Sequence, residues 1–358
     1  MQVRQLVVRG YRNLADLERE VPPRGVAILG ANAQGKTNLL EAIYYPVLFR
    51  SFRGAPDQQI AAWTSAGAAA GFHVDLVLAG AGVRHVGATY VGRKKRIAVD
   101  GEIIERVTEA VGAWTGVAFL PSDLGLASGP ATERRVYLDR LLSLASRTYL
   151  RSLSQYRAAL VQRNSALRQG QTEVARAFDA PLAEAGAELV RIRTEWASGA
   201  AEQFAAEFDC LGESGSAQLI YRGSSELGEA SAWGSALQVS LTEDLARGTT
   251  TIGPHRHDLV LTIGGRGIRE YGSTGQQRSA AVALKLIEIA TLRQSLDTEP
   301  ALLLDDVFAE LDRDRQCRLA RRLSGPDDRQ VFVTSPRADE LPPNLELPVW
   351  VVQDGKVS

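Results

Sequence analysis

Cysteine is scarce in this chain: Cys210 and Cys317 stand alone, with no spacing that pairs them. That excludes a disulfide framework and predicts a reducing, cytoplasmic setting. Histidine is scarce as well, and four histidines with two cysteines do not build a zinc site. Long apolar runs are lacking. No stretch approaches the ~20 residues that a bilayer span needs, and the N-terminus has no apolar signal-peptide core. An excess of charge of either sign is lacking too. The 41 basic and 42 acidic residues leave a net charge of −1, so only the distribution of charge carries information about nucleic acid. What is present is ordinary for a globular chain, 45% hydrophobic and long enough, at 358 residues, for two domains.

The most informative stretch is Gly30-Ala31-Asn32-Ala33-Gln34-Gly35-Lys36-Thr37, which fits G-x-x-x-x-G-K-[ST] at every fixed position. It follows a short apolar run, Val26 to Leu29, read as a buried strand, and opens Asn38 to Tyr44, read as a helix. That strand, loop and helix are the context a phosphate-binding loop requires. Its glycines let the backbone approach phosphates, and successive N–H groups form an anion nest at the positive end of the helix. Lys36 is expected to reach the β- and γ-phosphates of ATP, and Thr37 to hold Mg²⁺ through its hydroxyl.

Along the rest of the chain, residues 1–21 alternate polar and apolar and read as an antiparallel strand pair joined by Gly10-Tyr11-Arg12-Asn13. The phosphate-loop helix is expected to stop before Pro46. Residues 72–104 read as a β-meander, with strands at 72–78 and 83–90 and a hairpin turn at Asp100-Gly101. Just before that hairpin, Arg93-Lys94-Lys95-Arg96 fits a solvated turn better than a grip on a DNA backbone. Residues 131–168 are the most helical segment, with Leu138, Leu141, Leu142, Tyr149, Leu153 and Tyr156 at three- and four-residue steps. This segment carries eight arginines against Glu133 and Asp139, whereas 173–244 carries thirteen acids against four arginines. Two readings stand side by side: helices that neutralise each other in an antiparallel hairpin, or an arginine stripe facing DNA. Gly212 to Gly248 predicts one strand, at 218–221, and 249–263 a turn and a strand.

Two further motifs complete a site. Pro300 to Leu304 is an apolar strand ending in Asp305-Asp306, a Walker B pattern. A buried strand must end where its acid emerges at the sheet rim, beside a phosphate loop. Asp305 is expected to contact Mg²⁺, and Asp306 to orient or activate the attacking water. Ser273-Thr274-Gly275-Gln276-Gln277 precedes a helix from Arg278 to Leu292. Ser273 fits an N-cap and Gly275 a close-approach position, which makes a second anion site. One nucleotide needs one phosphate cradle per chain, but a dimer that sandwiches ATP between opposed subunits uses both.

Ser273 to Gln277 resembles the signature motif of ABC-type ATPases, and Glu310-Leu311-Asp312 their D-loop. The phosphate loop, with Asn32 inside it and Asn38 to Ile43 after it, is similar to the SMC-like branch that acts on DNA. Within that branch the chain resembles the RecF family of recombination proteins. The supporting stretches are Gly10 to Leu14, Phe119 to Leu124, Glu133-Arg134-Arg135 through Leu138-Asp139, and Ile252 to Arg256. The resemblance spans nearly the whole chain, and the order of its motifs is more specific than any one of them.

The resemblance implies an α/β fold: an ABC-type ATPase head with a mixed-sheet lobe I, a largely helical lobe II and no long coiled coil. Lobe I is expected at 1–125 and 297–358, and lobe II at 126–296. It implies that Arg12 and Asn13 lie near the nucleotide and that Asp123 occupies the Q-loop equivalent, toward the metal. Ser273, Gly275 and Gln276 are to meet the nucleotide of a partner subunit. It further implies a slow ATPase that forms an ATP-dependent homodimer on DNA gaps or single- to double-strand junctions. The family's task is in gap repair, replication and the SOS response, with RecR and RecO as partners in loading RecA. Two departures stand out. No histidine follows the last core strand, where Thr334 precedes Ser335-Pro336, so hydrolysis is expected to be slow or another group, such as Thr334, to place the water. His257 stands where the family usually carries an acid after the His-Arg pair. A transporter ATPase and a structural tether are the alternatives. The long interruption between residues 37 and 273 speaks against the first, and a helical segment of only about three dozen residues against the second.

Overall fold

The computed structural model of the protein describes residues 1–62, 71–80, 82, 84–310, 313–323, 329–342 and 345–358. The chain divides into two compact units, Met1–Ser122 with Glu288–Ser358, and Asp123–Ile287.

The first unit contains two six-stranded sheets. The strands up to residue 119 are β1 (Gln2–Arg9), β2 (Leu17–Glu20), β3 (Gly25–Leu29), β4 (Gly71–Ala79), β5 (His85–Val91), β6 (Lys94–Val99), β7 (Glu102–Ile104) and β8 (Gly116–Phe119). The second unit contributes β9 (Ala217–Arg222), β10 (Asp258–Ile263) and β11 (Arg266–Gly267). The first unit then resumes with β12 (Ala301–Leu304), β13 (Val331–Ser335), β14 (Val349–Gln353) and β15 (Lys356–Val357).

One sheet is antiparallel, in the order β2-β1-β4-β5-β6-β7. In β4 the residues Phe72, Val74, Leu76 and Leu78 all face the core, the period of two that a half-buried strand requires. In β1 the core residues are Val3, Leu6 and Val8. The odd step from 3 to 6 is absorbed by a register shift between Val3 and Gln5 that returns the strand to its buried face. The meander follows the expected pattern with β5 starting at His85; residue 83 lies outside the described residues. Lys95, inside the basic run, turns inward, donating to the Phe49 carbonyl at 2.7 Å and pairing with Asp57 at 2.8 Å. Arg93, Lys94 and Arg96 stay exposed.

The other sheet runs β15-β14-β3-β13-β12-β8, and all of its neighbours except β15 are parallel. Strands β8, β12 and β13 are buried along their whole length, as strands covered on both faces must be. Because β3 and β12 both pair in parallel with β13, the residues that follow them leave the sheet at the same rim. The helix Lys36–Leu48 packs on β4 and β5 of the first sheet and on β8 and β13 of the second. It does not stop before Pro46, which lies in its last turn. There the missing proline N–H forfeits a single bond, while Tyr44, Tyr45, Val47 and Leu48 are all buried, and packing outweighs the loss. Phe49, at φ 52°, ends the helix.

The second unit is largely helical, with the three-stranded sheet β11-β10-β9. Helices run over Ala131–Ala145, Arg147–Arg168 and Asp179–Cys210. Ser146 divides the first two, and its hydroxyl caps the second by accepting from the Tyr149 N–H at 3.1 Å. Tyr149 bonds Arg193 and Arg163 pairs with Asp179, so the second and third helices run antiparallel. The helical pattern therefore does not decay after residue 168. It resumes for 32 residues on a face of Leu182, Leu189, Val190, Ala197, Ala200, Phe204 and Phe208. Small residues in that stretch hide its periodicity. At about 1.5 Å per residue it spans roughly 48 Å, far short of a long coiled coil. The segment 212–248 holds β9 as expected but also the helix Ala230–Arg247, which its glycines and serines conceal. Among the described residues no helix is long and apolar enough to cross a membrane.

Candidate functional site

The phosphate loop leaves β3 at Gly30 and enters its helix at Lys36. Gly30 has no room for a side chain: a Cβ there would lie 2.3 Å from the Val352 carbonyl of neighbouring β14. Ala33 sits at φ 65° and Gly35 at φ 115°, the left-handed turns that curl the loop back on itself. Lys36 is almost wholly buried, and its ammonium donates to the Gly30 carbonyl at 2.8 Å and the Ala31 carbonyl at 3.2 Å. The lysine thus spans the loop that its own sequence forms.

Next to it, the Thr37 hydroxyl donates to Asp305 Oδ1 at 2.8 Å. Asp305 leaves the end of β12, and its N–H is held by the Phe119 carbonyl of β8 at 2.9 Å. Burial pushes its carboxyl above the usual carboxylate range, while the hydroxyls of Thr37 and Thr334 pull the other way by stabilising the anion. Asp306 follows at φ 49°, a left-handed conformation that turns it out of the strand. Its N–H donates to Thr334 Oγ1 at 2.9 Å. Thr334 Oγ1 lies 2.9 Å from Asp305 Oδ1 and 3.2 Å from Asp306 Oδ1. A hydroxyl has one proton to give. With 1% of its surface exposed, Thr334 is committed to fixing the two acids. The expectation that Thr334 places a water does not fit this burial.

Thr37 and Asp305 supply a hydroxyl and a carboxylate, the hard oxygen donors that suit Mg²⁺ when phosphates complete its shell. Among the described residues no group of three or more His, Cys, Asp or Glu could hold a metal by itself.

Arg12 and Asn13 sit on the turn after β1. The Arg12 guanidinium makes a two-pronged pair with Glu41, which is wholly buried in the phosphate-loop helix and also receives the Ser51 hydroxyl. Arg12 is therefore turned to the helix behind the loop. Asn13 faces the loop itself. Its Oδ1 accepts from Asn38 Nδ2 at 2.6 Å and lies 3.2 Å from where a Cβ on Gly35 would stand. Sequence reasoning missed Glu41, whose only signal was a charge among apolar helix positions, and Arg53. The exposed Arg53 guanidinium donates to Asn38 Oδ1 at 3.1 Å and acts electrostatically on Asp305.

In the second unit, Ser273 and Gln276 form a capping box at the start of the helix Thr274–Leu296. The Gln276 N–H donates to Ser273 Oγ at 3.2 Å, and the Ser273 N–H to Gln276 Oε1 at 3.0 Å. Gln276 thus spends its side-chain oxygen on its own helix. Gly275 lies within that first turn, and Gln277 ties it back to the Ile268 and Arg269 carbonyls. Asp123 lies in the tight turn Pro121–Leu124 after β8, at the beginning of the second unit, whereas Thr37 belongs to the first. Leu311 and Asp312 of the D-loop sequence lie outside the described residues.

His255 and His257 are structural. His257 Nδ1 is 2.8 Å from the Tyr221 hydroxyl, and His255 Nδ1 is 2.6 Å from that of Tyr156. Burial lowers both to about 4, so both are neutral at pH 7. The neighbouring acid, Asp258, forms a two-pronged pair with buried Arg134 at 2.8 and 2.9 Å.

A phosphate loop beside an acidic strand end, with a signature-type helix start elsewhere in the chain, is the equipment of an ABC-type ATPase head, and the fold agrees. The head domain of Smc matches with a TM-score of 0.56 over 100% of this chain and 98% of its own, at 15% identity, which speaks to fold alone. Solved structures of the recombination mediator protein RecF of the RecFOR pathway, as RecF-ATPrS and RecF-ATP, both match with a TM-score of 0.88. They are 30% and 29% identical, covering 99% and 100% of this chain and 97% of theirs. The DNA replication and repair protein RecF of Geobacter sulfurreducens is 36% identical over 344 residues, 94% of this chain and 93% of that protein. The protein of the same name from Anaeromyxobacter sp. (strain Fw109-5) is 36% identical over 369 residues, 100% of this chain and 99% of its own. No protein-family model matches. The chain belongs to the RecF family of DNA replication and repair proteins.

Proposed function

We propose that this protein is an ATP-driven switch on DNA that serves as a recombination mediator. The observation that carries the reading is the 2.8 Å contact between Thr37 and Asp305, residues 268 positions apart that meet at the rim of one sheet. In this reading the loop from Gly30 to Thr37 cradles the phosphates of ATP, with Lys36 neutralising them. Thr37 and Asp305 would hold Mg²⁺, which would supply positive charge to the phosphates. Asp306 is the carboxylate that orients the attacking water, and the Thr334 hydroxyl keeps it in place. Residues 1–125 with 297–358 act as the ATP-binding lobe and 126–296 as the signature lobe.

The capped helix start at Ser273, with Gly275 and Gln276 beside it, closes over the nucleotide of a second copy. ATP then favours the dimer because it gains contacts only in the closed state. Hydrolysis, slow in the absence of a histidine after β13, reopens it. The names of its relatives support a task in DNA replication and repair and in the RecFOR pathway. In this reading the substrate is a DNA gap or junction and the partners are RecR, RecO and RecA. DNA binding measured with and without ATP over a salt series tests this. The account expects ATP to tighten binding, and the affinity to fall linearly in log–log form as salt rises. DNA affinity that is indifferent to ATP contradicts it.

A further inference from the structure

The hairpin β14–β15 turns at Asp354-Gly355, and this turn lies against the outside of the phosphate loop. The Asp354 N–H donates to Gln34 Oε1 at 2.6 Å, and the Gly355 N–H donates to the Gln34 carbonyl at 3.0 Å. On its other side, the Gly355 carbonyl accepts from the Ala15 N–H at 2.9 Å, on the segment that carries Arg12 and Asn13. We propose that the Asp354-Gly355 turn is a positioning element of the nucleotide site. It sets the phosphate loop through Gln34 and locks it to the Arg12–Ala15 turn. The inference rests on the nucleotide reading given above.

A trans peptide is planar, so the carbonyl of one residue and the N–H of the next point in opposite directions. The Gly355 N–H holds the Gln34 carbonyl outward, toward the hairpin, and this directs the Gly35 N–H away from the hairpin. That N–H is one of the loop donors an anion nest uses. Side-chain and main-chain oxygens of the same residue are both held, which fixes the peptide plane as well as its position.

The turn itself is demanding. Asp354 and Gly355 have φ 49° and 76°, the left-handed pair of a tight two-residue hairpin that an Asp-Gly sequence favours. A Cβ on Gly355 would stand 1.9 Å from the Asn13 carbonyl, so only glycine lets the hairpin come this close. Strand β14 is itself anchored in the core sheet, parallel to β3 from Val349 to Val351. The turn is therefore held by the same sheet that launches the loop.

The test uses the full chain. Gln34→Met keeps the length of the side chain and removes the acceptor of the Asp354 N–H. Gly355→Ala disrupts the turn more severely. ATP and ADP affinities are measured by calorimetry, and amide hydrogen exchange is followed in the nucleotide-free protein. The expected result for Gln34→Met is roughly tenfold weaker binding of both nucleotides at unchanged stoichiometry, a loss of ~1.4 kcal/mol. Exchange is expected to be faster in 10–16 and 30–37 and unchanged in 71–79. Affinities and exchange equal to the unmodified chain overturn the proposal. So does a lowered stoichiometry at unchanged affinity, which marks a merely structural role. If Gly355→Ala fails to fold, Gln34→Met still decides. If the unmodified chain binds no ATP, the nucleotide reading has failed, and the exchange data still report whether the turn holds the loop.

Discussion

The two units use charge in opposite ways. In the first, a few charged and hydroxyl groups gather at the ends of apolar strands: Lys36, Thr37, Asp305 and Asp306 sit where β3 and β12 leave the sheet. In the second, several arginines spread along helices are taken up by acids of the same unit. Arg163 is fully buried between Asp179 and Asp244 at 2.8 and 2.7 Å, with the Thr250 hydroxyl beside it. Arg193 bonds Tyr149, Asp139 and the Pro254 carbonyl. Arg157 pairs with Asp139 as well. A run of charge in sequence can thus be taken up within the fold, whereas at the strand ends distant charges and hydroxyls are gathered in one place. Of the two readings of the arginine-rich segment, neutralisation by the acidic segment holds for Arg163, while Arg134 pairs with Asp258 beyond that segment and Arg157 with Asp139 inside its own.

That contrast can be broken or sharpened by experiment. The largest effect is expected at the strand ends. Lys36→Ala removes the cation that spans the loop and should weaken ATP binding at least ~100-fold, about 2.7 kcal/mol or more, by calorimetry. Because the bonds of Lys36 among the described residues are to the Gly30 and Ala31 carbonyls of its own loop, thermal stability should change little. Normal affinity removes the premise of a nucleotide site.

The helical unit should respond in the reverse sense. Arg163→Leu leaves the wholly buried Asp244 without its cation and should destabilise the protein by ~3–5 kcal/mol in denaturant unfolding. ATP affinity at temperatures where the variant is folded should be unchanged. A stable Arg163→Leu protein with altered ATP binding would reverse the contrast.

A smaller effect concerns pH. His255 and His257 are held near 4, below the ordinary histidine value of 6.5, because burial opposes the charged form. The unfolded chain therefore binds more protons between these values. Stability is complete above pH 6.5 and falls as pH drops toward 4, by at most ~3 kcal/mol for each histidine. His257→Gln should flatten part of that decline in urea titrations at pH 7 and pH 5. An identical decline assigns the acid sensitivity elsewhere.

The phosphate-loop sequence and the acidic strand end of the first unit were legible because they are local patterns, and the structure brings Thr37 and Asp305 to 2.8 Å. So were β4, with its strict alternation, and the turn at Asp100-Gly101. Less legible was whatever depends on a distant partner. The Asp354-Gly355 pair reads as a turn, but nothing in the sequence says it meets Gln34. Nor does the sequence say that the Arg12 guanidinium pairs with Glu41 on the adjoining helix. The helices Asp179–Cys210 and Ala230–Arg247 were obscured because alanine, glycine and serine faces pack closely without a strong apolar stripe. Pro46 misled for the opposite reason, since local propensity yields to a fully buried last turn.

In the proposed switch the capped helix start at Ser273 completes the nucleotide site of a second copy. Ser273→Arg, assayed by calorimetry and light scattering with and without ATP, tests it most directly. The account predicts ATP affinity within about twofold of the unmodified chain, together with loss of the ATP-dependent dimer that the unmodified chain forms. Dimers that still assemble on ATP with an arginine at that position would contradict it.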